Sequence, residues 1–377
     1  MRSLLMVCDL DPKKAGAFET YLVAMADRCR RDGVRYGLLL AGEPIPPVAA
    51  ALSAAGATWS AAHAWNDSDG RERPRVFARA YHRVLRERGP WDVVAFQFCN
   101  EVSVVAASLA ARAMRIGPRS TVWVQHSQMA MPGRVARRLS RLRLLRWAVD
   151  RMVLLAEAGR LAAVARGWPV GRAAVIPNGI TPRAPARRGR VRELLGLPPG
   201  GTILTCVGSL IPRKGYDVLL AALVPLLATH RDWHLVIAGD GPEREAVARQ
   251  AAEAGVAGQI HLLGLRDDVP DMLADSDLFV LASHAEGLTL AVLEAMAAGL
   301  PVVVTAVGGH AEVVTSAVGL VVPPGDPVAF RAAVEALLAD RPRLVRMGTA
   351  GPALVRAGLT LDHQIDAQFR YFQGIRP

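Results

Sequence analysis

Short apolar runs rich in β-branched residues alternate with longer stretches of helical periodicity along the whole chain. In the first half, SLLMVCDL, YGLLLAG, VVAFQFC, TVWVQHS and MVLLA are expected strands, and residues 18–31, 75–88 and 101–114 expected helices. Ile176-Pro177-Asn178-Gly179-Ile180 ends a short strand in a turn, and TPRAPARRGR follows without apolar periodicity, which makes 183–192 the expected linker. The rhythm then restarts with strands at ILTCVGS, HLVIAGDG, IHLLG, LFVLAS, PVVVTA and GLVVPP, and helices at 215–229, 243–255 and around 288–299. Such alternation predicts βαβ units and parallel sheets. The expected fold class is α/β, with two doubly wound parallel-sheet (Rossmann-like) domains, 1–182 and 193–355, facing a central cleft where the carboxyl ends of both sheets converge. Residues 356–377 read as a C-terminal helix packing back on the first domain.

Composition narrows the class. A chain of 377 residues, 51% apolar, fits two domains of ordinary size. No run approaches the roughly 18 to 20 apolar residues of a membrane span, and MRSLLMVCDLDPKK reads as a buried first strand rather than a signal peptide. The cysteines (Cys8, Cys29, Cys99, Cys206) are scattered, which points to reduced thiols in a cytoplasmic protein and away from a zinc site. Charge is uneven: residues 1–180 carry 27 Lys and Arg against 14 Asp and Glu, the remainder 18 against 20. This leaves open an anionic partner for the first half, or simply Arg-rich solvated faces. Within it, 134–151 reads as a basic amphipathic helix with arginines at 134, 137, 138 and 141 on one face, a candidate for docking on anionic lipid at the inner face of the cell membrane.

The candidate chemistry concentrates in the second half. In His284-Ala285-Glu286-Gly287-Leu288-Thr289-Leu290-Ala291-Val292-Leu293-Glu294-Ala295-Met296 a strand runs into a turn, and a helix begins near Leu288. Helix N-termini present unpaired amides, so this turn is a ready anion site. Glu294 stands among aliphatic neighbours, where an ionised carboxylate without a partner costs several kcal/mol; the diol of a ribose would satisfy it. Upstream, Gly208-Ser209-Leu210-Ile211-Pro212-Arg213-Lys214-Gly215 places two cations at a strand-to-helix turn, suited to a diphosphate.

These stretches resemble the nucleotide-binding domain of the retaining GT-B glycosyltransferases of family 4, the glycosyl transferases group 1. Glu286 and Glu294 match the family's Glu-x7-Glu, and Lys214 its phosphate lysine in R-x4-KG. The resemblance implies that Glu286 contacts the transferred sugar, that Glu294 holds the ribose, and that amides at Gly287, Leu288 and Thr289 hold phosphate. Departures are Ser209 where an Arg usually follows Gly208, with Arg213 expected to supply charge, and Leu288-Thr289 in place of Phe-Gly. Gly239-Asp240-Gly241-Pro242 is similar to the family's GDGP turn, and the segment around Gly264 resembles the place where backbone groups read the base. In the first half Gly16-Ala17-Phe18-Glu19 resembles the GGxE loop, with Ala17 for the second Gly. His126 matches a strand-end His that contacts the donor sugar. Asn178 and Gly179 belong to a PNG turn that shapes the hinge. Asp9-Leu10-Asp11 has the form of a metal-binding DxD, yet the family works without a bound metal, and no cofactor is expected.

The expectation is therefore a metal-independent, retaining hexosyltransferase moving a sugar from a nucleotide diphosphate donor to a glycan, lipid-linked or small-molecule acceptor. Lys214, Glu286 and His126 are its catalytic candidates. A nucleotide-sugar epimerase on the same fold and a degenerate nucleotide-sugar-binding protein remain alternatives. Nucleic-acid binding finds no reading motif behind the pI of 10.3.

Overall fold

The structure, a computed structural model, describes residues 1–9, 12, 16–62, 74–99, 101–126, 141–185, 187–197 and 200–375. The chain forms two compact units, Met1–Pro177 with Leu361–Pro377, and Asn178–Thr360.

In the first unit β1 (Ser3–Cys8), β2 (Arg35–Leu40), β3 (Thr58–Ala61), β4 (Val93–Gln97), β5 (Ser120–Gln125), β6 (Arg151–Leu154) and β7 (Ala173–Val175) make one parallel sheet. Their order is β3-β2-β1-β4-β5-β6-β7. Between them run α1 (Ala17–Arg31), α2 (Pro46–Ala54), α3 (Pro74–Arg88), α4 (Glu101–Ala113), α5 (Arg141–Ala148) and α6 (Glu157–Ala165). Successive side chains of a strand point to opposite faces. Leu4, Met6 and Cys8 accordingly enter one core with α1 and α2, while Leu5 and Val7 enter another with Phe77, Tyr81 and Trp123. Both faces are covered, which is why β1 is buried at every position. The last helix, α15 (Leu361–Gln373), closes the first core with Leu361, Ile365, Phe369 and Phe372. Its Gln368 accepts from Tyr21 Oη at 2.5 Å, and its Asp366 pairs with Arg28.

Two expectations change here. Among the described residues the helix expected over 134–151 spans Arg141–Ala148, and 134–140 lie outside the description. It stops because Asp150 is drawn to β5: its amide donates to Thr121 O at 2.9 Å, and its carboxylate accepts from Thr121 N and Arg112. The other change is the addition of α2 and β3, a Pro-initiated, Ala-rich helix and a half-exposed edge strand.

The second unit repeats the plan with β8 (Thr202–Val207), β9 (Trp233–Ala238), β10 (Ile260–Leu262), β11 (Leu278–Leu281), β12 (Val302–Thr305) and β13 (Gly319–Val322), in parallel order β10-β9-β8-β11-β12-β13. Its helices are α7 (Arg190–Leu195), α8 (Tyr216–Thr229), α9 (Arg244–Glu253), α10 (Val269–Ala274), α11 (Leu290–Ala297), α12 (His310–Val313), α13 (Pro327–Ala339) and α14 (Arg341–Gly358). Part of the stretch expected as linker is tied into this unit: Asp271 accepts from the Arg187 amide, and Asp275 from those of Gly189 and Val191. Ile180 and Thr360, near its two ends, form a parallel bridge.

Candidate active site

In a doubly wound sheet the strand order reverses between the first and fourth strands, and the loops leaving them diverge to opposite faces. In the second unit those strands are β8 and β11, hydrogen-bonded neighbours. Their outgoing loops carry Gly208 to Lys214 and Ser283 to Thr289.

The β8 loop folds into a 3-10 turn, Pro212–Lys214, ended by Gly215 at φ +67°. A Cβ there would lie 2.1 Å from the Ala282 carbonyl oxygen, so only glycine lets this turn press against the end of β11. That approach seats Lys214, whose stem crosses Gly208, against Glu286: Nζ to Oε1 is 2.7 Å, with both side chains about nine-tenths buried. Arg213 is more exposed and stands 3.8 Å from the other carboxylate oxygen. The Ser283 hydroxyl donates to Glu286 at 2.9 Å, and Thr305 donates to Ser283 O at 2.6 Å. Burial pushes the Glu286 carboxyl up. Lys214, Arg213 and the Ser283 hydroxyl outweigh it and hold the group below its ordinary value. Glu286 is therefore ionised at neutral pH, fit to accept hydroxyls or face positive charge but not to act as a general acid.

The turn after Glu286 is clamped from two sides. Gly309 N donates to Gly287 O at 2.6 Å, and Asn178 Nδ2 donates to Leu288 O at 2.9 Å. Gly308, at φ +53°, comes so close that a Cβ would lie 2.1 Å from Gly287 O. Leu288 is buried and Thr289 is extended, with ψ 123°, so α11 starts at Leu290 rather than near 288. Thr289 needs no positive φ, and replacing Phe-Gly by Leu288-Thr289 leaves the backbone unstrained. Among the described residues no side chain caps α11; Val292 N donates to Thr289 O at 3.2 Å, and the Leu290 and Ala291 amides before it are left as donors toward an anion.

Glu294 lies one turn further into α11, half-buried, with no hydrogen-bond or ion-pair partner among the described residues. Burial raises its carboxyl above the ordinary value against the opposing charge of Arg183. Ser209 is exposed. Gly264, at φ +69°, accepts from Gly239 N at 2.8 Å, and Leu210 N donates to Asp240 O, so the GDGP turn braces the loop carrying Gly208.

Tyr216, Ser283, Thr305 and His310 escaped the reading of the sequence. Tyr216 Oη donates to Gly208 O at 3.0 Å. His310, fully buried, meets Thr305 O through Nδ1 at 3.1 Å and Thr289 Oγ1 through Nε2 at 2.9 Å. The available signal was the Gly308-Gly309 pair after an apolar strand, which marks a close backbone approach.

The first unit holds the remaining candidates. His126 follows β5, stacks on Phe98 with centroids 3.9 Å apart, and meets Gln97 Oε1 through Nε2 at 2.5 Å. Burial pulls its imidazole down to about 3, so it is neutral at physiological pH. Phe98 keeps a left-handed φ of 59°, a strained conformation for a bulky residue. Gly16 caps α1 with an ordinary extended backbone, and its amide donates to Glu19 at 3.0 Å. Leu10 and Asp11 of the DxD lie outside the described residues. Among the described residues no group of three or more His, Cys, Asp or Glu could hold a metal ion, and no helix is long and apolar enough to cross a membrane.

Residues 188–353 match the profile of the family described as Glycosyl transferases group 1. Among curated proteins, the chain is 32% identical over 191 residues to the lipopolysaccharide core biosynthesis mannosyltransferase LpsB of Rhizobium meliloti, covering 48% of this chain and 54% of that one. It is 28% identical over 274 residues to the 2-deoxystreptamine glucosyltransferase of Streptomyces kanamyceticus, covering 68% and 70%. The chain spans about half the length of the first of these relatives. Among solved structures, HepE of Anabaena in complex with UDP-glucose superposes with a TM-score of 0.78 at 19% identity over 99% of this chain and 100% of that one. That likeness, with the two parallel sheets, gives the chain the GT-B fold. In family match, strand order and the Glu286–Lys214 arrangement together, residues 188–353 are similar to a glycosyl transferases group 1 domain.

Proposed function

We propose that the protein is a retaining, metal-independent glycosyltransferase that transfers a hexose from a nucleotide diphosphate sugar to a glycan or lipid-linked acceptor. The observation that carries this reading is Glu294, a half-buried carboxylate with no hydrogen-bond or ion-pair partner among the described residues, one helix turn into α11, the helix that follows the turn carrying Glu286. A ribose diol supplies the donors it lacks. The ammonium of Lys214 has three donors, so it reaches a phosphate oxygen while keeping Glu286. Arg213 and the α11 amides add to the stabilisation of the departing diphosphate. Glu286 accepts from hydroxyls of the transferred sugar. No carboxylate is assigned as a nucleophile, and charge at Lys214 and Arg213 does the work a metal would do.

The mannosyltransferase LpsB, and a GDP-mannose-dependent phosphatidylinositol monomannoside mannosyltransferase of Mycolicibacterium smegmatis that is 37% identical over 179 residues, support a glycolipid or lipopolysaccharide acceptor. The surplus of basic residues before residue 180 and the 75% exposed Trp147 on α5 support peripheral binding at an anionic membrane on the cytoplasmic side.

A thermal-shift screen of nucleotide diphosphates and their sugars, with EDTA present, tests the donor site. A selective rise with one nucleotide family is expected, followed by turnover with acceptor glycolipids. A donor converted to an isomer without any acceptor would make the protein an epimerase instead.

A further inference from the structure

Threonine is among the residues that most readily cap a helix, accepting from the amides of the first turn. Thr289 occupies the cap position of α11 and does not do so. The reason lies in His310. Its Nδ1 faces the Thr305 carbonyl oxygen, an acceptor only, so the ring proton sits on Nδ1. Nε2 is then an acceptor, and the hydrogen bond at 2.9 Å is donated by the Thr289 hydroxyl. Burial of the ring keeps it neutral, with Lys214 opposing a proton and Glu286 favouring one.

We propose that His310 is a positioning residue that holds the Thr289 hydroxyl away from α11, keeping the Leu290 and Ala291 amides open to the diphosphate of the donor. This rests on the donor site described under Proposed function. The turn is crowded, with Gly308 against Gly287 O and Asn178 on Leu288 O, so the side-chain torsion of Thr289 is the freedom left to regulate. In one rotamer the hydroxyl oxygen accepts from the helix amides and occupies the anion's place. In the other it donates to His310 and the place is free.

The test is a double-mutant cycle read by calorimetric titration with UDP-glucose and GDP-mannose, whose diphosphate diesters do not titrate near neutrality. His310→Leu removes the acceptor and releases the hydroxyl to cap, so affinity for the donor bound by wild type falls about tenfold or more. Thr289→Val has no hydroxyl to cap with, so in its background the loss of His310 costs little further affinity. The double variant H310L/T289V regains most of what H310L loses, a rescue that a merely structural histidine would not give. Unchanged affinity in H310L, or a double variant as weak as H310L, overturns the proposal. Should H310L not yield folded protein, T289V carries the test alone: a tenfold loss there makes the hydroxyl itself the phosphate ligand and overturns the proposal. Wild-type protein that binds neither sugar nucleotide nor any other removes the donor site on which the proposal rests, a result distinct from binding that His310 does not affect.

Discussion

Replacing Glu294 separates the cost of the free carboxylate from its use. In the free protein the group is half-buried, has no hydrogen-bond or ion-pair partner among the described residues, and its carboxyl is raised above its ordinary value by burial. A raised acid pKa means the folded state holds its proton longer than the unfolded one, so stability falls as pH rises from the ordinary value of 4.5 through the raised one. Glu294→Gln removes that loss. The free variant therefore melts higher than wild type at pH 7, and the gap closes as pH drops toward 4.5. Binding moves the other way. Hydrogen bonds to a charged group contribute about 1.5–3 kcal/mol, which is roughly 12- to 150-fold in affinity. Glu294→Ala should lose toward the upper end of that range. Glu294→Gln, which keeps one carbonyl acceptor, should lose toward the lower end. Thermal unfolding of the free proteins and titration with the sugar nucleotide selected by wild type measure the two effects. Affinity unchanged within about twofold in E294A, or a free E294Q less stable than wild type, would refute the role.

Lys214→Ala leaves Glu286 buried with the Ser283 hydroxyl and, among the described residues, the more distant Arg213 as its one cation, which should cost about 3–5 kcal/mol in chemical denaturation at pH 7. Because Lys214 helps hold the Glu286 carboxyl low, the stability it supplies is present above 4.5 and lost as pH falls through the lowered value, so the deficit of K214A should shrink in acid. Gly308→Ala forces a Cβ to 2.1 Å from a backbone oxygen at positive φ, and should destabilise by at least about 1 kcal/mol while weakening donor binding; wild-type behaviour in both assays would dismiss the close approach. Trp147→Ser should weaken co-sedimentation with vesicles containing anionic lipid and leave neutral vesicles unaffected; equal binding would place the contact elsewhere.

Strands were legible where both faces are covered. SLLMVCDL, VVAFQFC and LFVLAS have little polar interruption because helices lie on each side of the sheets. The elements at the β3 edge of the first sheet were not: Thr58–Ala61 is short and half-exposed, and Pro46–Ala54 has no polar face to give it a helical period. The acidic and basic site residues were legible because a charge among aliphatic residues demands an explanation. His310 and Ser283 gave no such sign. Their roles arise from neighbours distant in sequence, Thr289 and Glu286, brought together by glycine turns whose closeness exists only in three dimensions. The end of α5 is not legible in the sequence because Asp150 serves β5, a pairing that helical periodicity cannot express.

The placement of α15 has a consequence for biosynthesis. Synthesis runs from the N-terminus, so residues 178–360 are made before residues 361–375, and the second unit begins and ends at adjacent points, Ile180 beside Thr360. The earlier unit must wait: Leu361, Ile365, Phe369 and Phe372 arrive last, and each fully buried side chain of this kind contributes roughly 1.5–3 kcal/mol. Nascent residues 1–177 thus spend the intervening synthesis with an open apolar surface, the interval in which a chaperone has something to hold.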